Sequence, residues 1–338
     1  MIAFGVLQTV LAPFFAYHFF LRRPRVVVPY GNRLRQHAVV FPPAPRPGAC
    51  TGTGTVVTTT LVVSGGAWML SSTAWGWPLV RALAPAGHAV ALLGHRQFPF
   101  ATASEQVADV VAAVKAIAAA CPAWGGSQGA LQLVGQSAGA HLAALAALAL
   151  AREAQGAAAA SAEACAPSGG GALPAAPPLL RLRALVLCSG VYDLPAFLPV
   201  LREKGLPQAL LGELFECPGS GTAPARLSPR CLVADEGAWG GALGRWLPPT
   251  TLLHGARDKA VPVAQSEAFH AALVGAGVPA TLTVFPELGH TEFVIEGPAA
   301  GRDELGRALG ARREETTSPL FPFAGVYMGL VSRVNPFS

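Results

Sequence analysis

The chain has few charged residues, no zinc-type cysteine pattern and no internal repeat. Charged residues make up 13% of its 338 residues, and the net charge is +5. Positively charged residues are clustered only at Arg22, Arg23 and Arg25 and at Arg312 and Arg313. No extended basic face is expected, which argues against nucleic-acid binding. The six cysteines form no CxxC pair and no zinc-like Cys/His spacing, so we expect neither a metal nor a cofactor, and free thiols in a reducing compartment. The sequence leaves open whether two of the loop cysteines form a disulfide.

The first 21 residues are almost entirely apolar, and arginines follow at positions 22, 23 and 25. About 20 apolar residues are enough to span a bilayer. A signal peptide would carry its positive charge before the apolar run and a small-residue cleavage site after it. We therefore expect a transmembrane anchor with a basic flank over residues 1–25, and the positive-inside tendency places the rest of the chain in the cytosol. The alternatives are a core helix or an incorrect start.

After the predicted anchor, β-prone runs alternate with helical patterns, which predicts an α/β fold with a mostly parallel central sheet and helices on both faces. A short β-hairpin is expected first, from the runs 26–28 and 37–41. The further predicted strands are 55–63, 88–93, 131–134, 184–187, 250–253 and 280–285. The predicted helices are 78–84, 104–120, 138–151, 264–274 and 302–309.

Two segments lack this alternation. Residues 152–178 form an Ala/Ser/Gly/Pro tract with almost no large apolar side chain, and we predict a disordered insertion there. Residues 316–338 form an apolar C-terminal tail in which Pro322 and Gly325 disfavour a long helix. The tail is expected to pack on the domain or to touch the membrane.

A candidate nucleophile, Ser137, lies in the run Gly135-Gln136-Ser137-Ala138-Gly139. This GxSxG match follows a predicted strand and precedes a long predicted helix, which is the arrangement of a nucleophile elbow. The flanking glycines suit a strained turn, and the backbone N–H of Ala138 would point at a developing oxyanion. The alternative, a Gly/Ser turn that only caps a helix, does not explain the position between strand and helix.

The candidate base and acid follow Ser137 in the order expected for an α/β-hydrolase fold, Ser, Asp, His. Asp258 comes just after the predicted strand 250–253, and His290 comes just after the strand 280–285. We expect His290 to accept the serine proton and Asp258 to orient the imidazole. Asp193 and Asp235 are rival acids, but neither directly follows a strand at the right place. Residues 26–315 are therefore predicted to form one α/β-hydrolase catalytic domain.

The glycine-rich loop after the strand 55–63 is expected to complete an oxyanion hole with Ala138. It contains Gly65, Gly66 and Ala67, and we expect Gly66 and Ala67 to be the donors. Aromatic residues follow it, and an aromatic rim would suit an apolar substrate. The candidate substrate-binding residues are Trp68, Trp75 and Phe98. Ordinary packing accounts equally well for any one of them.

Several of these runs together resemble the plant-type isoprenylcysteine methylesterases, within the wider lipase and carboxylesterase superfamily. The resemblance covers about residues 26–315. Many esterases have His where Ser64 stands, whereas that family carries a small hydroxyl residue. The runs that carry the resemblance are Tyr30-Gly31-Asn32-Arg33-Leu34, Phe41-Pro42, Ser64-Gly65-Gly66-Ala67-Trp68, Arg96-Gln97-Phe98-Pro99, Gly135-Gln136-Ser137-Ala138-Gly139-Ala140-His141 and Gly289-His290-Thr291.

The resemblance implies a serine carboxylesterase that hydrolyses the C-terminal methyl ester of a prenylated cysteine to a carboxylate and methanol. It also implies residence in endoplasmic reticulum and Golgi membranes, with the catalytic domain facing the cytosol. A general carboxylesterase or an arylformamidase with the same triad is the enzyme alternative. A hydrolase-fold binding protein that has lost catalysis is an alternative from a different class, and the retention of Ser137, Asp258 and His290 together argues against it.

Overall fold

The computed structural model covers most of the predicted catalytic domain. It describes residues 23–44, 56–164, 180–217, 225–294, 296–299 and 302–311. Positions 1–22 of the predicted anchor, positions 165–178 of the predicted insertion and the predicted tail lie outside the described residues. The division of the chain into anchor, domain and tail therefore stays a prediction.

An eight-stranded sheet lies at the centre of the fold, in the order β1-β2-β4-β3-β5-β6-β7-β8. The first two strands form an antiparallel hairpin that pairs antiparallel with β4, and the strands from β3 to β8 are parallel to one another. The predicted mostly parallel sheet is confirmed. The strands are β1 (Val26–Pro29), β2 (His37–Phe41), β3 (Val57–Val63), β4 (Ala89–Leu93), β5 (Gly126–Gln136), β6 (Ala184–Cys188), β7 (Thr250–Gly255) and β8 (Ala280–Phe285).

Helices cover both faces of this sheet, because successive residues of a strand point to opposite sides and both sides are apolar. Leu61 packs with the core on one face, whereas its neighbour Val62 packs with a second core on the other face. The helices are α1 (Trp77–Leu83), α2 (Ala103–Ala120), α3 (Ala138–Ala164), α4 (Leu194–Glu203), α5 (Gln208–Leu214), α6 (Pro229–Ala234), α7 (Glu236–Trp239), α8 (Leu243–Trp246), α9 (Ala264–Gly275), α10 (Glu296–Ala299) and α11 (Glu304–Ala308).

Helix α2 shows how local signals and packing agree. Its N-terminus carries a capping box, in which Thr102 and Glu105 each accept a hydrogen bond from the other's backbone N–H. Val110, Val114 and Ile117 recur at helical spacing and are fully buried. Together with the turn that follows, α2 is the one described segment long and apolar enough to cross a membrane. Its buried face packs in the core of the domain, as a core helix does.

Helix α3 corrects the predicted start of the disordered insertion. The helix continues without a break from Ala138 to Ala164, so the prediction of disorder from Arg152 onward is wrong as far as residue 164. Alanine has the highest helix propensity, and a tract that buries little apolar surface can still extend a helix that the core has already nucleated. Low apolar content was therefore the wrong signal for this part of the tract.

The strand order gathers the candidate residues at one edge of the sheet. The chain passes from β3 to β4 on one side and returns to β5 on the other, so the order reverses between β3 and β5. Ligands of open α/β sheets bind at the carboxyl ends of the strands beside such a reversal. At this edge the glycine-rich loop follows β3 and Ser137 follows β5. The segments that contain Asp258 and His290 follow β7 and β8 there.

Candidate active site

Ser137 occupies a sharp turn between β5 and α3. Its φ is 55°, in the left-handed region that residues with a side chain rarely adopt. The turn is held from both sides: the Ser137 N–H donates to the carbonyl of Cys188 on the neighbouring strand (2.9 Å), and the Ser137 carbonyl accepts from the N–H of Ala140 (2.9 Å). The serine is partly exposed while its neighbours are buried, so the turn presents the hydroxyl to solvent.

The glycines on either side of Ser137 are required by close backbone contacts. A Cβ at Gly135 would lie 2.5 Å from the Cα of Ala140, and a Cβ at Gly139 would lie 2.2 Å from the carbonyl oxygen of Val63. Neither clash is with a flexible side chain, so the backbone itself would have to move. The tight packing of the helix start against β3 therefore explains both glycines of the motif.

We expect Gly139→Ala to destabilise the fold by about 3 kcal/mol, because the added methyl group would displace the start of α3 from β3. Gly156→Ala is the matched control. Gly156 lies in the same helix and has no atom within 4 Å of the position that its Cβ would take. The control variant should be more stable than the wild type by about 0.5–1 kcal/mol, from helix propensity alone. Chemical denaturation measures both changes, and equal effects would contradict the packing argument.

His290 lies between Ser137 and Asp258. The distance from its Nε2 to Ser137 Oγ is 2.8 Å, and that from its Nδ1 to Asp258 Oδ2 is 2.7 Å. Because an ionised carboxylate can only accept, Nδ1 carries the proton and donates to Asp258, which leaves Nε2 free to accept from the serine hydroxyl. The structure thus brings together the three residues predicted from sequence, in the geometry of a Ser-His-Asp triad.

The side chain of Asp258 is fully buried, and its carboxyl group remains ionised. Burial alone would raise its pKa, but hydrogen bonds from His254, His290 and the backbone N–H of Val261 outweigh burial and hold the pKa well below its usual range. Its Oδ1 accepts from the N–H groups of Ala260 and Val261, both at 2.8 Å. The carboxylate is therefore fixed in place by the turn that follows β7.

His254 is a second histidine beside Asp258 that the sequence reasoning did not assign. Its Nε2 lies 3.3 Å from Asp258 Oδ2 and 3.0 Å from the carbonyl oxygen of Val261, and its Nδ1 lies 2.7 Å from the hydroxyl of Ser266. The only sequence signal for it was its position, four residues before Asp258 at the end of β7. The carboxyl end of β7 therefore supplies both the acid and one of its hydrogen-bond donors.

The rival acid Asp193 serves another role. It caps α4 by accepting from the N–H of Ala196 and forms an ion pair with Arg230 at 2.6 Å. The other rival, Asp235, directly follows α6. Asp258 is the carboxylate that contacts His290.

The glycine-rich loop passes directly beside the candidate nucleophile. A Cβ at Gly65 would lie 2.9 Å from the Cβ of Ser137, so only glycine allows the loop to come this close. Gly66 has a φ of 122°, and Ala67 follows with a φ of 49°. Ala138 is the first residue of α3, where backbone N–H groups have no partner within the helix. The loop and the start of α3 therefore both lie beside the serine, and the role of their N–H groups as oxyanion donors stays a prediction.

One residue of the predicted aromatic rim is not at the surface of the site. Trp68 is wrong as a substrate-binding residue, because its side chain turns inward and only 2% of the residue is exposed. Its ring packs edge-on against His141 and Phe215 in the core. Trp75 and Phe98 are half-buried beside the same loop, and the Phe98 N–H donates to the Trp68 carbonyl. Their contact with a substrate stays a prediction.

A small cavity adjoins the loop. It is lined by Gly65, Trp75, Gln136 and Val294, among others, and has a volume of about 10 Å³. Such a volume holds about one water molecule and no acyl chain. Among the described residues, no group of three His, Cys, Asp or Glu side chains could hold a metal ion.

The fold and this site define a class, the serine hydrolases of α/β-hydrolase fold. Two family models match the chain: BD-FAE over residues 51–164 and the prolyl oligopeptidase family over residues 241–310. The first match includes the glycine-rich loop and Ser137, and the second includes Asp258 and His290. Both models indicate an α/β-hydrolase, in agreement with the predicted fold and with the Ser-His-Asp geometry of the site.

Within this class, the chain is similar to isoprenylcysteine alpha-carbonyl methylesterases, which confirms the resemblance seen in the sequence. It is 31% identical to a probable isoprenylcysteine alpha-carbonyl methylesterase of Oryza sativa subsp. japonica, over 86% of this chain and 62% of the relative. It is 28% identical to the isoprenylcysteine alpha-carbonyl methylesterase of Arabidopsis thaliana, over 85% of this chain and 61% of the relative. The chain thus spans about three-fifths of the length of these curated relatives.

Solved structures of esterases share the fold. A thermophilic esterase from Thermogutta terrifontis superposes with a TM-score of 0.57 at 20% identity, over 84% of this chain and 89% of that one. Esterase B from Lactobacillus rhamnosis superposes with a TM-score of 0.61 at 19% identity, over 98% of this chain and 96% of that one. At such identities the likeness supports the α/β-hydrolase fold alone.

Proposed function

We propose that the protein hydrolyses carboxylic esters through an acyl-enzyme on Ser137, with His290 as base and acid and Asp258 as the group that orients His290. The observation that carries this proposal is the chain of hydrogen bonds from Ser137 through His290 to Asp258, at 2.8 and 2.7 Å. Nucleophile and base lie within hydrogen-bond reach of each other, and a third group holds the base, as covalent catalysis requires.

The reaction proceeds in two halves. Ser137 Oγ attacks the ester carbonyl carbon while His290 Nε2 accepts the serine proton, and the tetrahedral intermediate then expels the alcohol, which takes that proton from His290. In the second half His290 accepts a proton from the water that attacks the acyl-enzyme and returns it to Ser137 Oγ as the acyl–oxygen bond breaks, and the acid product leaves as a carboxylate. Backbone N–H groups of Gly66, Ala67 and Ala138 stabilise the oxyanion in both halves, and Gly65 lets the loop approach.

The proposed substrate is the methyl ester of a C-terminal prenylcysteine, and methanol is the alcohol released. The names of the most similar plant relatives support this choice. Apolar surface beside the site supports it too: Leu70 is 57% exposed and Phe100 is 85% exposed, and they belong to the two loops that the Phe98–Trp68 backbone hydrogen bond joins. A prenyl chain could cover such side chains.

The substrate proposal predicts a preference for long apolar S-alkyl groups. We expect N-acetyl-S-farnesylcysteine methyl ester to be hydrolysed with a kcat/KM at least about 100-fold higher than its S-methyl analogue. Burial of about four methylene groups, at about 0.8 kcal/mol each, is enough for this factor. The two compounds share the same ester, so a difference between them reports only on the apolar tail.

A short-chain aryl ester, p-nitrophenyl butyrate, separates the proposal from the enzyme alternative. The esterase LipQ of Mycobacterium tuberculosis, 28% identical over 74% of this chain, supports a general carboxylesterase as the second candidate. Equal turnover of the farnesyl and methyl compounds, with fast turnover of the aryl ester, would reject the prenylcysteine substrate and leave the hydrolase intact. Any turnover by the Ser137→Ala protein measures the activity of contaminating esterases in the preparation.

We also propose that the protein acts at endoplasmic reticulum and Golgi membranes from the cytosolic side. The support is the apolar run at positions 1–21 and the arginines after it, together with the affinity of a prenylated substrate for lipid. Fractionation of cells that express the full chain tests this. Recovery in the soluble fraction would contradict it.

A further inference from the structure

The loop that carries the proposed oxyanion donors has an unfavourable backbone conformation. Gly66, Ala67 and Trp68 are consecutive, and all three have positive φ values, of 122°, 49° and 62°. Residues with a side chain adopt this region rarely and persist in it only where surrounding contacts hold them. Something outside the loop must therefore hold Ala67 and Trp68 in place.

The side chain and the backbone carbonyl of Trp68 make the contacts that hold the loop. The indole is buried, and its Nε1–H donates to Nδ1 of His141 at 3.1 Å. The Trp68 carbonyl accepts from the backbone N–H of Phe98 and from Nε2 of Gln106, both at 3.1 Å. The ring is thus fixed at its polar atom by one residue, His141, and the loop backbone is fixed by the neighbouring loop and α2.

The ring of His141 has one defined proton position. Because the indole can only donate, Nδ1 of His141 accepts, and the proton lies on Nε2, which donates to the carbonyl of Leu227 at 2.7 Å. Burial lowers the pKa of His141 to about 4, so the ring stays neutral near pH 7. Both ring nitrogens are satisfied, and the ring has no freedom to exchange partners.

His141 also belongs to the elbow itself. It lies one helical turn after Ser137, and its backbone N–H donates to the Ser137 carbonyl at 3.2 Å. The same residue therefore contacts the nucleophile turn through its backbone and the oxyanion loop through its ring. The bond to Leu227 extends this contact to the segment between β6 and β7.

We propose that His141 is a positioning residue for ester hydrolysis, which sets the oxyanion loop at its working distance from Ser137 by accepting the hydrogen bond of Trp68. The inference rests on the proposed function. His141 does not touch the reacting atoms in this role and exchanges no proton with them. The proposal assigns a function to the last residue of the run Gly135–His141, which the triad and the oxyanion hole leave without one.

The test is a double-mutant cycle on the full-length protein. His141→Phe and Trp68→Phe each remove one partner of the bond and keep an aromatic ring. We expect each to lower kcat by about 10- to 100-fold, less than the 100- to 1000-fold typical of losing a whole oxyanion donor, with KM changed by less than about threefold. The double variant should be scarcely slower than either single variant, because the shared bond is lost only once.

Two further variants separate positioning from general stability. His141→Gln keeps an acceptor and a donor and should recover at least about a third of the wild-type kcat. His270→Phe is the matched control, since its half-buried ring projects from α9, contacts the carbonyl oxygen of Ala280 on β8 at 3.3 Å and lies outside the site. Its kcat should stay within about twofold of wild type. All rates are referred to the folded fraction measured by thermal melting.

Additive effects in the cycle, an unchanged kcat in His141→Phe, or a loss of kcat equal to that of the His270→Phe control would each overturn the proposal. The rate at which a fluorophosphonate labels Ser137 is a second readout, because the transition state of the labelling reaction also places negative charge in the oxyanion hole. A wild-type protein that labels at Ser137 but hydrolyses no ester would overturn the proposed function. The labelling rates of the variants would then still decide the role of His141.

Discussion

Replacement of Ser137 by alanine is expected to lower kcat for ester hydrolysis by about 10⁶-fold and to abolish labelling by a fluorophosphonate. Loss of the nucleophile in a serine hydrolase costs about as much as loss of the whole triad, because the three residues act as a unit. KM should change little, since the hydroxyl contributes to the transition state rather than to ground-state binding. Active-site labelling and steady-state kinetics on the same preparation measure both effects.

Ser189→Ala is a closely matched control for this variant. Ser189 follows β6, the neighbouring strand, and also has a positive φ, of 46°. It is fully buried, and its hydroxyl has no hydrogen-bond partner among the described residues. The same chemical change in a similar backbone conformation should leave kcat within about threefold of wild type. A Ser137→Ala protein that still labels, or a Ser189→Ala protein that does not, would refute the assignment of the nucleophile.

Asp258→Asn is expected to lower kcat by about 10⁴-fold at neutral pH. The neutral amide can donate to Nδ1, which would leave the proton of His290 on Nε2, where it cannot accept from Ser137. Asp193→Asn is the comparison, because Asp193 pairs with Arg230 and caps α4. Its kcat should stay within a few-fold of wild type. A reversed order of the two losses would identify Asp193 as the acid.

The effect of Asp258→Asn on the free energy of unfolding should depend on pH. The folded-state pKa of Asp258 lies below the usual value of 3.8, so the unfolded chain binds the proton more readily. The stabilisation is therefore fully present above about pH 4 and is lost as the pH falls below that value. The free energy of unfolding of Asp258→Asn should lie below that of the wild type at pH 7, and the gap should narrow at pH 3. A gap that widens on acidification would contradict the depressed pKa.

The parts of the site that could be predicted from sequence are those with local signals. Ser137, Asp258 and His290 each follow the end of a strand within a few residues, and the carboxyl ends of parallel strands meet at one edge of the sheet. The order of the three along the chain then identifies the fold. The same logic placed Gly65 and Gly66, because a glycine-rich run directly after an early strand is typical of the oxyanion loop in this fold.

The parts that could not be predicted depend on contacts between distant segments. Whether Trp68 turns outward or inward is decided by His141, 73 residues further along the chain. His254 appears in the sequence only as a histidine near the acid, and its contact with Asp258 requires the turn that follows β7. The extent of α3 was missed for a different reason, because alanine content was taken as a lack of core residues rather than as helix propensity.

The pairing of β6 with β7 has a consequence for how new specificities can arise in this fold. The two strands are parallel neighbours, so the roughly sixty residues between them leave the sheet at the carboxyl end of β6 and return to it at the amino end of β7, whatever their length. That segment contains none of the triad residues. We therefore expect that grafting this segment from a relative transfers the choice of substrate, while the triad and its ester hydrolysis are retained. One condition applies, because the graft must still present a carbonyl to His141 where Leu227 does now.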